Sequence, residues 1–238
     1  MLKIDWILKA EGRLETIRKM AEIERDRIRS EFPNWPQDDT RRWAVSRFTT
    51  QLFLPVLGLY IMRVHLSYPA WWEQHATGCG NVLLQPGRDE FDRTIKGKLI
   101  IDLVGNLEHS FRLILRQLDP ANNASDFSAL YNSLLRANNP YLRSIPADWQ
   151  PPLELLRRIR NTVHNAWMYS PENGKNASIT YKGETFALVV GKQLDFISWD
   201  LICNIAEDVF RLILAVVRDE NVTSVPAMPD PAASTPLQ

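Results

Sequence analysis

Between positions 99 and 118 the apolar residues Leu99, Leu103, Leu107, Phe111, Ile114 and Leu118 recur every three or four places. That period lines one face of an α-helix and cannot line one face of a strand. It predicts a long amphipathic helix over 88–118, stopped by Asp119-Pro120. Such a helix needs partners to cover it, and the rest of the chain supplies them. Residues 2–31 read as a second long helix, with Ile7, Ala10, Leu14, Ile17, Ala21 and Ile28 at heptad spacing. A stripe of that length fits a bundle helix or a dimer contact, and the bundle helix is the preferred reading. Phe32-Pro33-Asn34-Trp35-Pro36 ends it. Asp38 or Asp39 then caps a helix through Trp43, Phe48 and Leu52, which Pro55 is expected to kink or restart. Residues 67–87, with Trp71, Trp72, Gly78, Gly80 and Pro86, read as a long connection holding a helical turn.

Further along, a short helix is expected over 125–136. Pro151-Pro152 then opens a helix running to about Met168, since proline suits a first helical turn. Ile179-Thr180-Tyr181 and 186–190 flank Lys182-Gly183-Glu184, a β-hairpin signal. The segment 196–218 is apolar nearly all round and should sit centrally. Prolines 226, 229, 231 and 236 predict a disordered tail over 223–238. The expected class is therefore an all-α multi-helix bundle with a small β-hairpin insertion near 178–190. Its expected divisions are a helical extension over 1–87, a bundle over 88–222 and the tail.

Composition narrows the function. Lys plus Arg and Asp plus Glu both number 28, so bulk charge gives no argument for non-specific nucleic-acid binding. The longest apolar run, 52–62, lies between Arg47 and Arg63, too short an interval for the roughly 20 residues of a membrane span. No membrane role is expected. The first 19 residues are too charged for a secretory signal. Cys79 and Cys203 lack a CxxC context, which points to reduced thiols in a cytoplasmic chain. His65, His75, His109 and His164 show no metal-ligand spacing, and no phosphate-binding glycine loop is present. No metal and no cofactor is expected.

Chemistry concentrates on the helix after Pro152. Arg157, Arg160, Asn161 and His164 stand at i, i+3, i+4 and i+7 and share one face, beside the apolar stripe Leu156, Ile159, Val163 and Trp167. Arginine forks onto phosphate and stays charged. Histidine moves protons near neutrality. Asparagine can orient a base or the imidazole. This set suits metal-free cleavage of a phosphodiester, with histidine handling the protons of a 2′-hydroxyl attack. The plain alternative is a solvated, salt-bridged helix face.

The run Ile159-Arg160-Asn161-Thr162-Val163-His164-Asn165 resembles the signature helix of HEPN proteins (higher eukaryotes and prokaryotes nucleotide-binding domain). That signature is an Arg, often followed by Asn, with four to six residues between the Arg and a following His. The resemblance spans roughly residues 88–218 and implies a four-helix core. It also implies a metal-independent ribonuclease, often of toxin–antitoxin or phage-defence type, acting as a homodimer on RNA or nucleotide, with an antitoxin or effector protein as partner. A non-catalytic nucleotide-binding or regulatory module is the alternative within the same family. Carried over, His164 and Asn161 take the family positions. Arg160 is preferred as the arginine because it lies about 40° from His164 around the helix, whereas Arg158 matches the formal spacing but lies about 120° away. Arg157, Arg158 and Glu108 are expected supports, with Glu108 orienting His164 or pairing with Arg160. Trp167 and Tyr169 are expected candidates for stacking on a base.

Overall fold

A computed structural model describes residues 4–76, 80–136 and 140–233. The heptad stripe of the first helix, α1 (Asp5–Glu31), is buried residue for residue, from Ile7 and Ala10 through Leu14, Ile17 and Ala21 to Ile28. It is an intramolecular seam. Its main cover is α2 (Thr40–Ile61), reached through a connection in which Phe32 and Trp35 stack with ring centroids 4.1 Å apart. Asp39 caps α2 by accepting from the Arg41 N–H.

The chain does not break at Pro55. Pro55 is buried inside α2, and the helix widens only at Met62–Leu66 into a π-helical turn. One missing backbone bond is offset there by packing against α1, α4 (Gly80–Leu118) and α7 (Trp199–Val217). By length and hydropathy, Thr40–Leu66 is the one stretch among the described residues that could cross a membrane, and 44% of its most apolar window is buried.

The expected connection over 67–87 is largely helical. Pro69–His75 forms α3, and α4 begins at Gly80 and runs through Pro86. Tertiary contact explains this. Trp72 donates its indole N–H to the Leu66 carbonyl at 3.0 Å, and its ring lies so close to Gly87 that a Cβ there would fall 2.3 Å away. Cys79 and Gly78 lie outside the described residues.

After α4 come α5 (Phe127–Leu135), capped by Asp126, and α6 (Gln150–His164). Next comes an antiparallel hairpin of β1 (Ala177–Tyr181) and β2 (Glu184–Leu188), with Ala177 opposite Leu188 and Tyr181 opposite Glu184. Lys182 and Gly183 both take positive φ, 49° and 82°, the pattern of a two-residue hairpin turn. The hairpin packs on α6 through β1. The helix α7 starts at Trp199, capped by the Ser198 hydroxyl, and its buried residues lie on most of its circumference. It packs against α1, α2, α4 and α6, and its Phe210 stacks on Phe48 of α2 at 4.8 Å. Apolar residues of both the first 66 positions and the later helices join one continuous core.

The expected disordered tail is ordered as far as Ala233. After α8 (Glu220–Thr223), Met228 and Asp230 are fully buried. The Thr40 N–H donates to the Met228 carbonyl at 2.7 Å, the Asp230 N–H to the Asp38 carbonyl at 2.8 Å, and Arg47 pairs with Asp230 at 2.8 Å. Prolines removed the local helix signal without removing these long-range anchors. Residues 234–238, the remainder of that expected tail, lie outside the described residues.

Candidate functional site

Pro151 and Pro152 stand in the first turn of α6, where a missing N–H has no helical partner to lose. The helix then divides by phase. Leu153, Leu155, Leu156, Ile159 and Thr162 are buried. Beside them Glu154 forms a hub. One of its oxygens accepts from the Tyr131 hydroxyl at 2.8 Å and from Arg157 Nε at 3.0 Å. The other accepts from Arg157 Nη2 at 2.8 Å and from Arg158 Nε at 2.6 Å. Arg158 also donates to the Tyr169 hydroxyl at 2.6 Å.

Burial alone would raise the Glu154 carboxyl. The hydrogen bonds from Arg157 and Tyr131 outweigh it and hold the group below the ordinary glutamate range. The same contacts act in reverse on the partners. Burial, then Glu154, pushes the Tyr131 phenol up, and Glu154 holds the Arg157 guanidinium still more firmly charged.

The last turn presents a different surface. Asn161 and His164 are exposed and Arg160 is half-buried. Arg160 makes one side-chain hydrogen bond, from Nη1 to Asn161 Oδ1 at 3.2 Å, and pairs with no carboxylate among the described residues. The His164 imidazole makes no hydrogen bond to a described residue. The strip thus combines an unpaired guanidinium, an amide already touching it, and an imidazole open to solvent. That combination can hold a phosphate and exchange a proton beside it.

The helix ends at His164, not at Met168. Asn165 caps it, and Ala166 and Trp167 follow with φ of 53° and 67°. The Trp167 N–H donates back to the Thr162 carbonyl at 2.8 Å. This left-handed exit swings the half-buried Trp167 ring onto α4, where a Cβ at Gly97 would lie 3.1 Å from it.

The other expected site residues separate from the strip. Arg157 and Arg158, expected as supports, are bound to Glu154, so the arginine that matches the formal motif spacing is engaged elsewhere. Glu108 neither orients His164 nor pairs with Arg160. It pairs with Arg112 at 2.8 Å, and Arg112 clamps the α4–α5 connection through the carbonyls of Ala124 and Ser125. Tyr169 is only 4% exposed, with its backbone bonded to Gly191 and Lys192, so its ring belongs to the core and does not face a ligand. The Glu154 hub itself went unread, although Glu154 precedes Arg157 and Arg158 at i+3 and i+4 spacing. Among the described residues no three His, Cys, Asp or Glu side chains gather to hold a metal.

No family model matches the chain, and neither curated proteins nor solved structures give a match.

Proposed function

We propose that this chain is a HEPN-like protein that cuts RNA without a metal, using the strip Arg160, Asn161 and His164. One observation carries the reading. On a helix whose other arginines are neutralised by a carboxylate, Arg160 alone keeps an unpaired guanidinium, and it lies one helical turn from an unengaged histidine. Arg160 would hold the scissile phosphate and offset the charge that builds in the transition state. His164 would take the proton of the 2′-hydroxyl as its oxygen attacks phosphorus. The 5′-oxygen leaves with a proton, giving a 2′,3′-cyclic phosphate and a free 5′-hydroxyl. Asn161 would hold Arg160 in place. The four-helix HEPN core, a homodimer pairing two strips, and a defence or toxin setting in a bacterial cytoplasm with a protein antitoxin or effector belong to this proposal.

A specific observation favours a second reading. His164 has no partner to fix its tautomer, as an oriented catalytic base usually has. On that reading the strip binds nucleotide or RNA and turns nothing over.

Cleavage of mixed RNA in excess EDTA, with wild type and His164→Ala side by side, separates the two. The enzyme reading expects wild-type cutting and a loss of roughly 10²–10⁴-fold in the variant. Undiminished cutting by His164→Ala would overturn the site. Absence of cutting by either leaves the binding reading, which expects a nucleotide-induced thermal shift that Arg160→Ala removes. If no nucleotide shifts the melting temperature, that reading fails too.

A further inference from the structure

A second cationic surface lies away from α6, which packs on neither α1 nor α2 among the described residues. The end of α1, the 32–39 connection, the first turns of α2 and Ala233 enclose a cleft of about 780 Å³. Its walls carry Arg29, Arg42, Trp43, Asp38 and Ser46. A volume of this order is typical of small-molecule sites.

The charges in this cleft are under-used. Arg42 donates through Nη2 to the carbonyls of Phe32 at 2.8 Å and Pro33 at 3.3 Å, pairs with no carboxylate among the described residues, and keeps a buried Nε without any hydrogen-bond partner. Arg29 has its nearest carboxylate, Asp26, at 3.7 Å, and that oxygen already accepts from Arg25 at 3.0 Å. Arg47, outside the cleft lining, is already paired with Asp230 at 2.8 Å and lies over the Trp43 ring at 5.5 Å. Buried N–H donors in folded proteins are normally met by protein, by ordered water or by a bound group. The Asp38 carboxylate, by contrast, makes no ion pair or hydrogen bond among the described residues, although its backbone carbonyl is engaged.

From this geometry we infer that the cleft is a binding site for a small phosphorylated ligand with a planar ring and free hydroxyls, of the nucleoside-monophosphate class. Arg29 and Arg42 take the phosphate, since guanidinium forks match its oxygens. Trp43, its indole N–H fixed on the Gln37 carbonyl at 3.1 Å, offers ring surface for stacking. Asp38 and the Ser46 hydroxyl accept from and donate to the sugar hydroxyls. An inorganic anion would satisfy the arginines and leave Trp43 and Asp38 unused, so the whole set selects the larger ligand. The site is independent of the α6 strip and does not require RNA cleavage.

Calorimetric titration of adenosine 5′-monophosphate into the full chain tests this, with inorganic phosphate and adenosine as separate probes. Saturable one-to-one binding of the nucleotide is expected, weaker in high salt. Arg42→Gln and Arg29→Gln should each weaken it by roughly tenfold or more. Trp43→Leu should weaken the nucleotide and leave phosphate unchanged. Arg29 is 54% exposed, so its substitution keeps the test usable if Arg42→Gln fails to fold. No heat with the nucleotide, equal affinity in Arg29→Gln, or phosphate binding as tightly as the nucleotide would overturn the inference.

Discussion

In the middle of α6, Glu154 gathers Tyr131, Arg157 and Arg158 into a closed set of hydrogen bonds. Toward the end of the helix, the Arg160 side chain hydrogen-bonds only Asn161 among the described residues, and His164 faces water. Both regions place arginine on the same helix and differ in position along it, the first beside Tyr131 of α5 and Tyr169, the second in the exposed last turn. A polar group that turns toward neighbouring elements loses water and must find a partner, because an unpaired buried group is costly. A polar group that turns outward keeps its water and remains free to exchange it for a ligand. Function is therefore sought where arginine is left over, and stability where it is spent.

Breaking the inner set should give the largest effect. Glu154→Ala would leave Arg157, Arg158 and the Tyr131 hydroxyl without their acceptor. Loss of a fully buried partner costs about 3–5 kcal/mol. With 22% of the Glu154 side chain still meeting water, about 2–4 kcal/mol is expected, read by urea denaturation. A loss below about 1 kcal/mol would erase the distinction between the regions. The sign with pH follows from the depressed carboxyl. Its folded value lies below its unfolded one, so its stabilisation is present at neutral pH and is lost as pH falls through the folded value. Glu154→Gln should therefore show a flatter acid limb than wild type. An unchanged slope between pH 6 and pH 3, measured at several denaturant midpoints, would refute this assignment.

The exit from α6 refines the comparison, because Ala166 and Trp167 share a left-handed backbone but not an environment. Trp167 is half-buried against Gly97 and Val163. Trp167→Gly relieves the backbone and removes the ring, and a net loss of about 1–2 kcal/mol is expected. Ala166 is exposed, so Ala166→Gly relieves strain of about 1–2 kcal/mol and gives back part of it through a looser unfolded chain. A gain of up to about 1 kcal/mol should appear as a higher melting temperature. Equal shifts in both variants would mean that backbone strain alone governs the exit.

Period was the part of the fold that the chain displayed most openly. Every buried position of α1 lies in its heptad stripe, and the hairpin was legible because Lys182-Gly183 carries its own turn chemistry. Local signals misled where distant residues decide. Pro86 looked like loop, yet Trp72 packs on Gly87 and keeps α4 helical through it. Four prolines looked like disorder, yet Asp39 accepts from the Met228 N–H at 3.0 Å and holds the tail down. The strip was legible for the same reason as the stripes, since one helical phase gathers Arg160, Asn161 and His164. Its surroundings were not. Tyr169 turns inward through bonds to residues more than 20 positions away, and Glu108 takes the partner that its own helix offers four residues on.

The smallest stability effect is expected at the strip, and that smallness makes it the cleanest probe of function. Arg160→Ala and His164→Ala remove no carboxylate partner and expose no buried donor. Surface substitutions of this kind stay within about 0.5 kcal/mol. Asn161→Ala loses one hydrogen bond at 3.2 Å between partly solvated groups and belongs in the same range. Chemical denaturation of the three variants should overlay the wild-type curve, whereas their RNA behaviour should diverge. Each outcome then has one meaning. A variant that keeps its stability and loses RNA cleavage or binding assigns that residue to the ligand. A variant that loses 2 kcal/mol or more, as Glu154→Ala is expected to, would place Arg160 or His164 in the inner set and end the contrast between the two halves of α6.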